Sequence, residues 1–104
     1  MSHRSSHKWL LNIQPNAKQA FDNLSPADKR SVFRHLRELL NSDDPYTLPF
    51  VEMIKAKKFE RIRKFRAGGF RVFFVIEPIE VVHLKHTYKG TFFLLDIRDR
   101  KEAY

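Results

Sequence analysis

The residues of this chain best suited to chemistry are cationic and phenolic. Lys64 and Arg66 alternate along one segment, Arg71 follows shortly after, Arg98 stands near the end, and Tyr104 closes the sequence. If neighbouring strands gather them, they form a cluster of three or four cations beside a phenol. Such a cluster suits phosphodiester cleavage by an RNA's own 2′-hydroxyl. Guanidinium groups clamp phosphate oxygens bidentately. Fixed cations help most at the transition state, where the pentavalent phosphate carries extra charge. Proton transfer at the 2′-oxygen and the leaving 5′-oxygen falls to Tyr104 and Lys64, the members of the set that can give up a proton. A 2′-hydroxyl nucleophile would leave DNA untouched. A plainer assignment competes at each position. Lys64 and Arg66 also fit a solvated open face, and Arg98 a surface pair with Asp96 or Asp99. Tyr104 also fits a frayed end or a packing aromatic.

Other catalytic solutions are missing. There is no cysteine, so thiolate nucleophiles, thiolate metal sites and disulfides are excluded, which fits a reducing cytosol. No Gly-rich phosphate loop and no Gly-x-Ser-x-Gly elbow occur. His83 and His86 fall in a β-prone stretch with no cysteine nearby, and His3 and His7 belong to a polar leader. His35 is expected on a helix surface. Asp43-Asp44 reads as a helix stop, and Asp96 and Asp99 lie among arginines. Neither a metal nor a cofactor is expected.

Charge placement points to the same kind of partner. The formal net charge is +8, and eight cations against one acid put +7 of it between Lys55 and Arg71. The rest of the chain is nearly neutral. Lys57, Lys58, Arg61, Arg63 and Arg66 are the candidates for binding RNA phosphates, since neutralising them releases condensed counterions. An anionic protein partner, or solubility alone, is the simpler use of such a run.

These residues need a scaffold, and 104 residues with 42% hydrophobic content suffice for one domain with one core. The first eight residues are expected to be a flexible leader. The apolar stretch after them is only Trp9, Leu10 and Leu11, too short for a secretory signal. The longest apolar run, Val72 to Ile76, is far below membrane-spanning length. A soluble, cytoplasmic protein with no membrane partner is therefore expected.

Trp9 to Ile13 reads as a short strand ended by Pro15. Asn16 can cap a helix whose Ala17, Ala20, Phe21 and Leu24 share a face. Ser25-Pro26-Ala27-Asp28 signals a second helix start. That helix is expected to bury Val32, Phe33, Leu36, Leu39 and Leu40, and to stop at Asn41 to Pro45. Strands then follow over Lys58–Arg66 and Phe70–Ile76, joined by Ala67-Gly68-Gly69, and over Thr91–Arg98. Alternation sets Lys64 and Arg66 on one face and Arg61 and Arg63 on the other. Val81 to Leu84 either extends the sheet or forms an excursion. The element order β-α-α-β-β-β implies an α+β fold, a small antiparallel sheet with a two-helix hairpin packed on one face.

Two segments resemble the RelE/ParE toxin superfamily, and within it the RelE-type ribonuclease branch. They are Lys64-Phe65-Arg66-Ala67-Gly68-Gly69-Phe70-Arg71-Val72 and Leu95-Asp96-Ile97-Arg98-Asp99-Arg100-Lys101-Glu102-Ala103-Tyr104. The resemblance covers Trp9 to Tyr104. It implies the toxin of a toxin–antitoxin pair, a metal-independent endoribonuclease that cleaves mRNA on the ribosome and is neutralised by a cognate antitoxin. By the same resemblance Lys64 matches a lysine of proton transfer or phosphate binding, and Arg66 a strand cation. Arg71 and Arg98 match phosphate-stabilising arginines, and Tyr104 the aromatic at the reaction centre. The chain departs from the pattern at Ile62, where relatives often carry a base, and at Phe70, where tyrosine is commoner. The Glu77–Gly90 connection is also longer than a minimal hairpin. Two other functions stand beside this one: a gyrase-inhibiting toxin of the ParE branch, which generally lacks the Arg98…Tyr104 arrangement, and a non-catalytic basic RNA-binding domain.

Overall fold

Ser25 and Pro26 start the longest helix as their types demand. In the computed structural model, which describes residues 7–54 and 61–99, the Ser25 side chain accepts from the Asp28 N–H at 3.2 Å and Pro26 opens helix α2, Pro26–Asn41. Serine supplies the acceptor that the first turn lacks, and proline gives up only a donor with no helical partner. Helix α1, Pro15–Asp22, has Gln14 at its N-cap position without a side-chain cap bond, and Asn16 lies inside its first turn after Pro15. The sequence expectation at Asn16 was thus displaced by two residues, because a proline suits the first helical position better than the residue before a cap.

The two helices cover one face of a five-stranded sheet, ordered β1-β7-β4-β3-β2. The strands are β1 Leu10–Ile13, β2 Val51–Met53, β3 Arg63–Ala67, β4 Phe70–Glu77 and β7 Thr91–Asp99. The fold is α+β as expected, but the sheet is mixed. β1 pairs with β7 in parallel, whereas β2–β3, β3–β4 and β4–β7 are antiparallel. β1 and β7 run in the same direction because both start from one tied corner. The Lys89 N–H donates to Lys8 O at 2.8 Å and the Leu10 N–H to Gly90 O at 2.9 Å. Gly90 is required at that corner, since a Cβ would run into the Glu77 carbonyl oxygen and the Trp9 ring. Lys8 also closes on Asp43 at 2.7 Å, and its ammonium, with Lys89 near, holds the Asp43 carboxyl below its usual pKa.

The core lies between helices and sheet. Phe65, Phe74 and Phe92 are fully buried side by side, with Val32, Leu36, Leu39 and Leu40 above them. Phe74 and Phe92 stack at 4.5 Å between ring centroids, and Phe65 lies 6.2 Å from Phe74. Such pairs contribute about 0.5–1.5 kcal/mol beyond their buried area. His35 belongs to this row and not to the helix surface. It stacks on Phe65 at 5.4 Å, and its Nδ1 lies 2.8 Å from Ser31 O. Phe33 is a correction in the opposite sense, being 44% exposed. It stands about 100° around the helix from Val32, on the flank of the buried stripe.

Gly68, at φ +62°, turns β3 into β4, and Ala67 pairs with Phe70 across the turn. Glu77–Gly90 neither extends the sheet nor wanders. It folds into a separate hairpin, β5 Val81–His83 with β6 His86–Tyr88, turning through Leu84 and Lys85 at φ 49° and 70°. The first hairpin strand begins at Arg63. Arg61 and Ile62 precede it, and Lys58–Glu60 lie outside the described residues.

Candidate phosphate-binding face

The site is built by strand register. Phe65 pairs with Val72 and Val72 with Ile97, and all three are buried under the helices. Side chains alternate across a sheet, so the neighbouring pairs point to the other face. One of these pairs is Arg66 with Arg71, and Arg71 in turn pairs with Arg98. Three arginines therefore stand in a row across β3, β4 and β7, on the face turned away from the helices. At about 4.8 Å between strands the row is about 10 Å wide. The adjoining row on that face is Glu52, Lys64, Phe73 and Asp96.

Arg98 reaches this row through an irregularity. Phe74 pairs with Leu94 but Phe73 with Asp96, so Leu95 is an extra residue in β7. The bulge lets Leu94 and Ile97, three apart, both enter the core. It also turns Asp96 and Arg98 together onto the cationic face. Simple alternation along Thr91–Arg98 does not contain this shift.

Like charges opposite one another across strands destabilise a sheet. Carboxylates offset part of that repulsion here. Asp96 Oδ2 accepts from Arg98 Nε at 2.9 Å, while Asp96 Oδ1 accepts from the Ile97 N–H at 2.9 Å. Glu52 lies 3.9 Å from Lys64 Nζ and 4.0 Å from Arg66 Nε. The surface pairing of Arg98 with Asp96 is thus real, and it coexists with membership of the row. Glu52 is the participant that sequence reasoning missed, because nothing in the sequence marked Val51–Met53 as a strand.

Of the residues singled out in the sequence, Lys64, Arg66, Arg71 and Arg98 come together. Arg63 does not. It is half-buried on the helix side of the sheet, its guanidinium 4.9 Å from the centre of the Tyr46 ring. Arg61 is exposed ahead of β3. Lys57, Lys58 and Tyr104 lie outside the described residues. His83 and His86 face each other across the β5–β6 hairpin, away from the sheet. Among the described residues no helix is long and apolar enough to cross a membrane. The assembled face offers planar forks and an ammonium on a rigid sheet, an arrangement able to hold a phosphate and balance added charge on it.

No family profile and no curated protein matches the sequence. Solved structures do resemble the fold. A chain of the RelBE2 toxin–antitoxin complex from Mycobacterium tuberculosis aligns with a TM-score of 0.56 at 15% identity, over 89% of this chain and 99% of that one. A chain of the archaeal RelE–RelB complex from Pyrococcus horikoshii OT3 aligns with a TM-score of 0.57 at 21% identity, over 92% and 99%. Both alignments run over nearly the whole of each chain, and the protein has the RelE-type fold.

Proposed function

We propose that the chain is the toxin of a toxin–antitoxin pair and cleaves mRNA on the ribosome without a metal or a cofactor. The row Arg66–Arg71–Arg98 carries this reading, because three cations held side by side across three strands suit the oxygens of a phosphodiester. The fold supports it, since the similar chains come from toxin–antitoxin complexes. In this mechanism the RNA's 2′-oxygen attacks the adjacent phosphorus and the bond to the 5′-oxygen breaks, leaving a cyclic phosphate. Arg71 and Arg98 hold the non-bridging oxygens and balance the charge that develops on them. Arg66 steers the neighbouring phosphate. Lys64 and Tyr104 move the protons, one from the 2′-hydroxyl and one to the departing 5′-oxygen. Lys57, Lys58, Arg61 and Arg63 add to the field that draws RNA in. A cognate antitoxin supplies the opposite charge and silences the toxin, and the reaction takes place in the cytoplasm.

The test is cleavage of mRNA on translating ribosomes in the presence of EDTA, with mass analysis of the 3′ ends. Arg71→Ala and Arg98→Ala should each lower the rate by about 10²–10³-fold, with far-UV circular dichroism unchanged. A 2′-deoxy substitution at the cut site should stop the reaction. Unchanged cleavage by the Arg71→Ala/Arg98→Ala double variant removes the mechanism. Inhibition of gyrase supercoiling with RNA left intact replaces it with the ParE-type reading.

A further inference from the structure

Among the described residues, the least neutralised positive surface is not on the sheet. It lies on the outer side of α2. Val32, Leu36, Leu39 and Leu40 face the core. At 100° per residue, Phe33, Arg37, Arg30 and Arg34 then fill one continuous sector beside that buried stripe, half-buried Lys29 lies at its edge near the first turn, and Asp28 and Glu38 fall outside it. None of these four cations pairs with a carboxylate among the described residues. On the sheet face, by contrast, Lys64, Arg66 and Arg98 each have one. Like charges at helical spacings of three and four residues destabilise a helix. This stripe is therefore a cost to the folded protein that a polyanion relieves.

We infer that the outer face of α2 is a second RNA-binding surface, one that grips the phosphate backbone of a structured RNA stem. Arg30, Arg34 and Arg37 form a ridge about 10 Å long at 1.5 Å per residue, enough to follow several consecutive phosphates. Beside them runs a shallow groove of about 420 Å³, lined by Phe21, Lys29, Arg30, Phe33, Arg34 and Arg37. The charge of its lining, four cations and no acid, favours RNA over an amphipathic protein helix. Lys29 Nζ sits 5.9 Å from the centre of the Phe21 ring, and the Arg37 guanidinium 5.4 Å from that of Phe33. Each ring thus has a cation beside it on which an RNA phosphate can close. Backbone contacts of this kind recognise shape and charge, with no base reading.

The stripe and the arginine row lie on opposite sides of the sheet. A protein cationic on both sides can sit between two RNA segments, one bound by its backbone and one presented to Arg71 and Arg98. The inference shares with the proposed function the premise that the partner is RNA. It stands whether or not the open face cleaves.

The experiment is fluorescence anisotropy of a labelled RNA stem-loop with the full chain over a range of salt concentrations. The Arg30→Gln/Arg34→Gln/Arg37→Gln variant should bind about tenfold more weakly, and its salt slope should fall by about one per arginine removed. Circular dichroism should confirm that it folds. Lysine at the same three positions should restore the slope, and Arg71→Ala/Arg98→Ala should retain most of the stem affinity. Unchanged affinity and slope in the glutamine variant overturn the inference. So does loss of an acidic polypeptide's binding with stem affinity intact, which would make the stripe a protein-docking face.

Discussion

Each side chain of the cationic face has a neighbour that limits what it can do. Glu52 stands within 4.0 Å of both Lys64 and Arg66, where it offsets their repulsion and competes with any incoming phosphate. These two effects have opposite signs for stability and for binding. Exposed pairs of this kind are worth about 0.2–1 kcal/mol. Glu52→Gln should therefore lower stability to urea by a few tenths of a kcal/mol and tighten RNA binding up to about fivefold. Weaker RNA binding by this variant would show that Glu52 organises the cations and does not compete. Asp96 is different, since both its oxygens are engaged, one by the Ile97 N–H and one by Arg98. It holds Arg98 in place as well as neutralising it.

At the scale of elements, hairpin β5–β6 forms a two-stranded sheet of its own, apart from the five-stranded one. Two-stranded hairpins are marginal alone, and this one turns through two side-chain-bearing residues at positive φ, Leu84 and Lys85. Asparagine and glycine are the residues that such a turn favours. Leu84→Asn/Lys85→Gly should stabilise the hairpin by about 1 kcal/mol or more. Slower amide exchange across Val81–Tyr88, with little change in the global melting temperature, is the expected result. Exchange as fast as in the parent chain would mean that the turn is not what limits the hairpin. The base needs no such help, because Gly90, Trp9 and the Lys8–Asp43 pair hold it to the end of β7.

For the whole molecule, the aromatic row from Phe50 through His35, Phe65 and Phe74 to Phe92 links α2 to the middle of the sheet. It sits directly behind the arginines, on the opposite face of the same strands. Phe74 is fully buried at the centre. Phe74→Ala should cost about 3–5 kcal/mol, a large share of the 5–15 kcal/mol typical of a domain. A denaturant melt reads this directly. A loss below 1 kcal/mol would mean that the helices pack on the sheet without this row. The same architecture separates the two cationic surfaces, since helices and sheet stand between them.

Some features depended only on nearby residues. Ser25-Pro26 starts a helix through one hydroxyl and one missing N–H, and Gly68 makes a turn through its own φ. The types and order of Lys64, Arg66, Arg71 and Arg98 were likewise enough to suggest phosphate chemistry, and the charge total needs no fold at all. Other features were settled by partners far along the chain. Val51–Met53 is a strand because β3 pairs with it, and β1 is parallel because its corner is tied to Gly90. Phe33 turned outward because the sheet accepts only part of the helix's apolar surface. Arg98 meets Arg71 because a bulge at Leu95 shifts the register by one residue. Periodicity reports which face a residue prefers over a few positions. Which strands lie side by side, and which residues then stand opposite, is settled by long-range packing. The cations were therefore legible in the sequence, and their row was not.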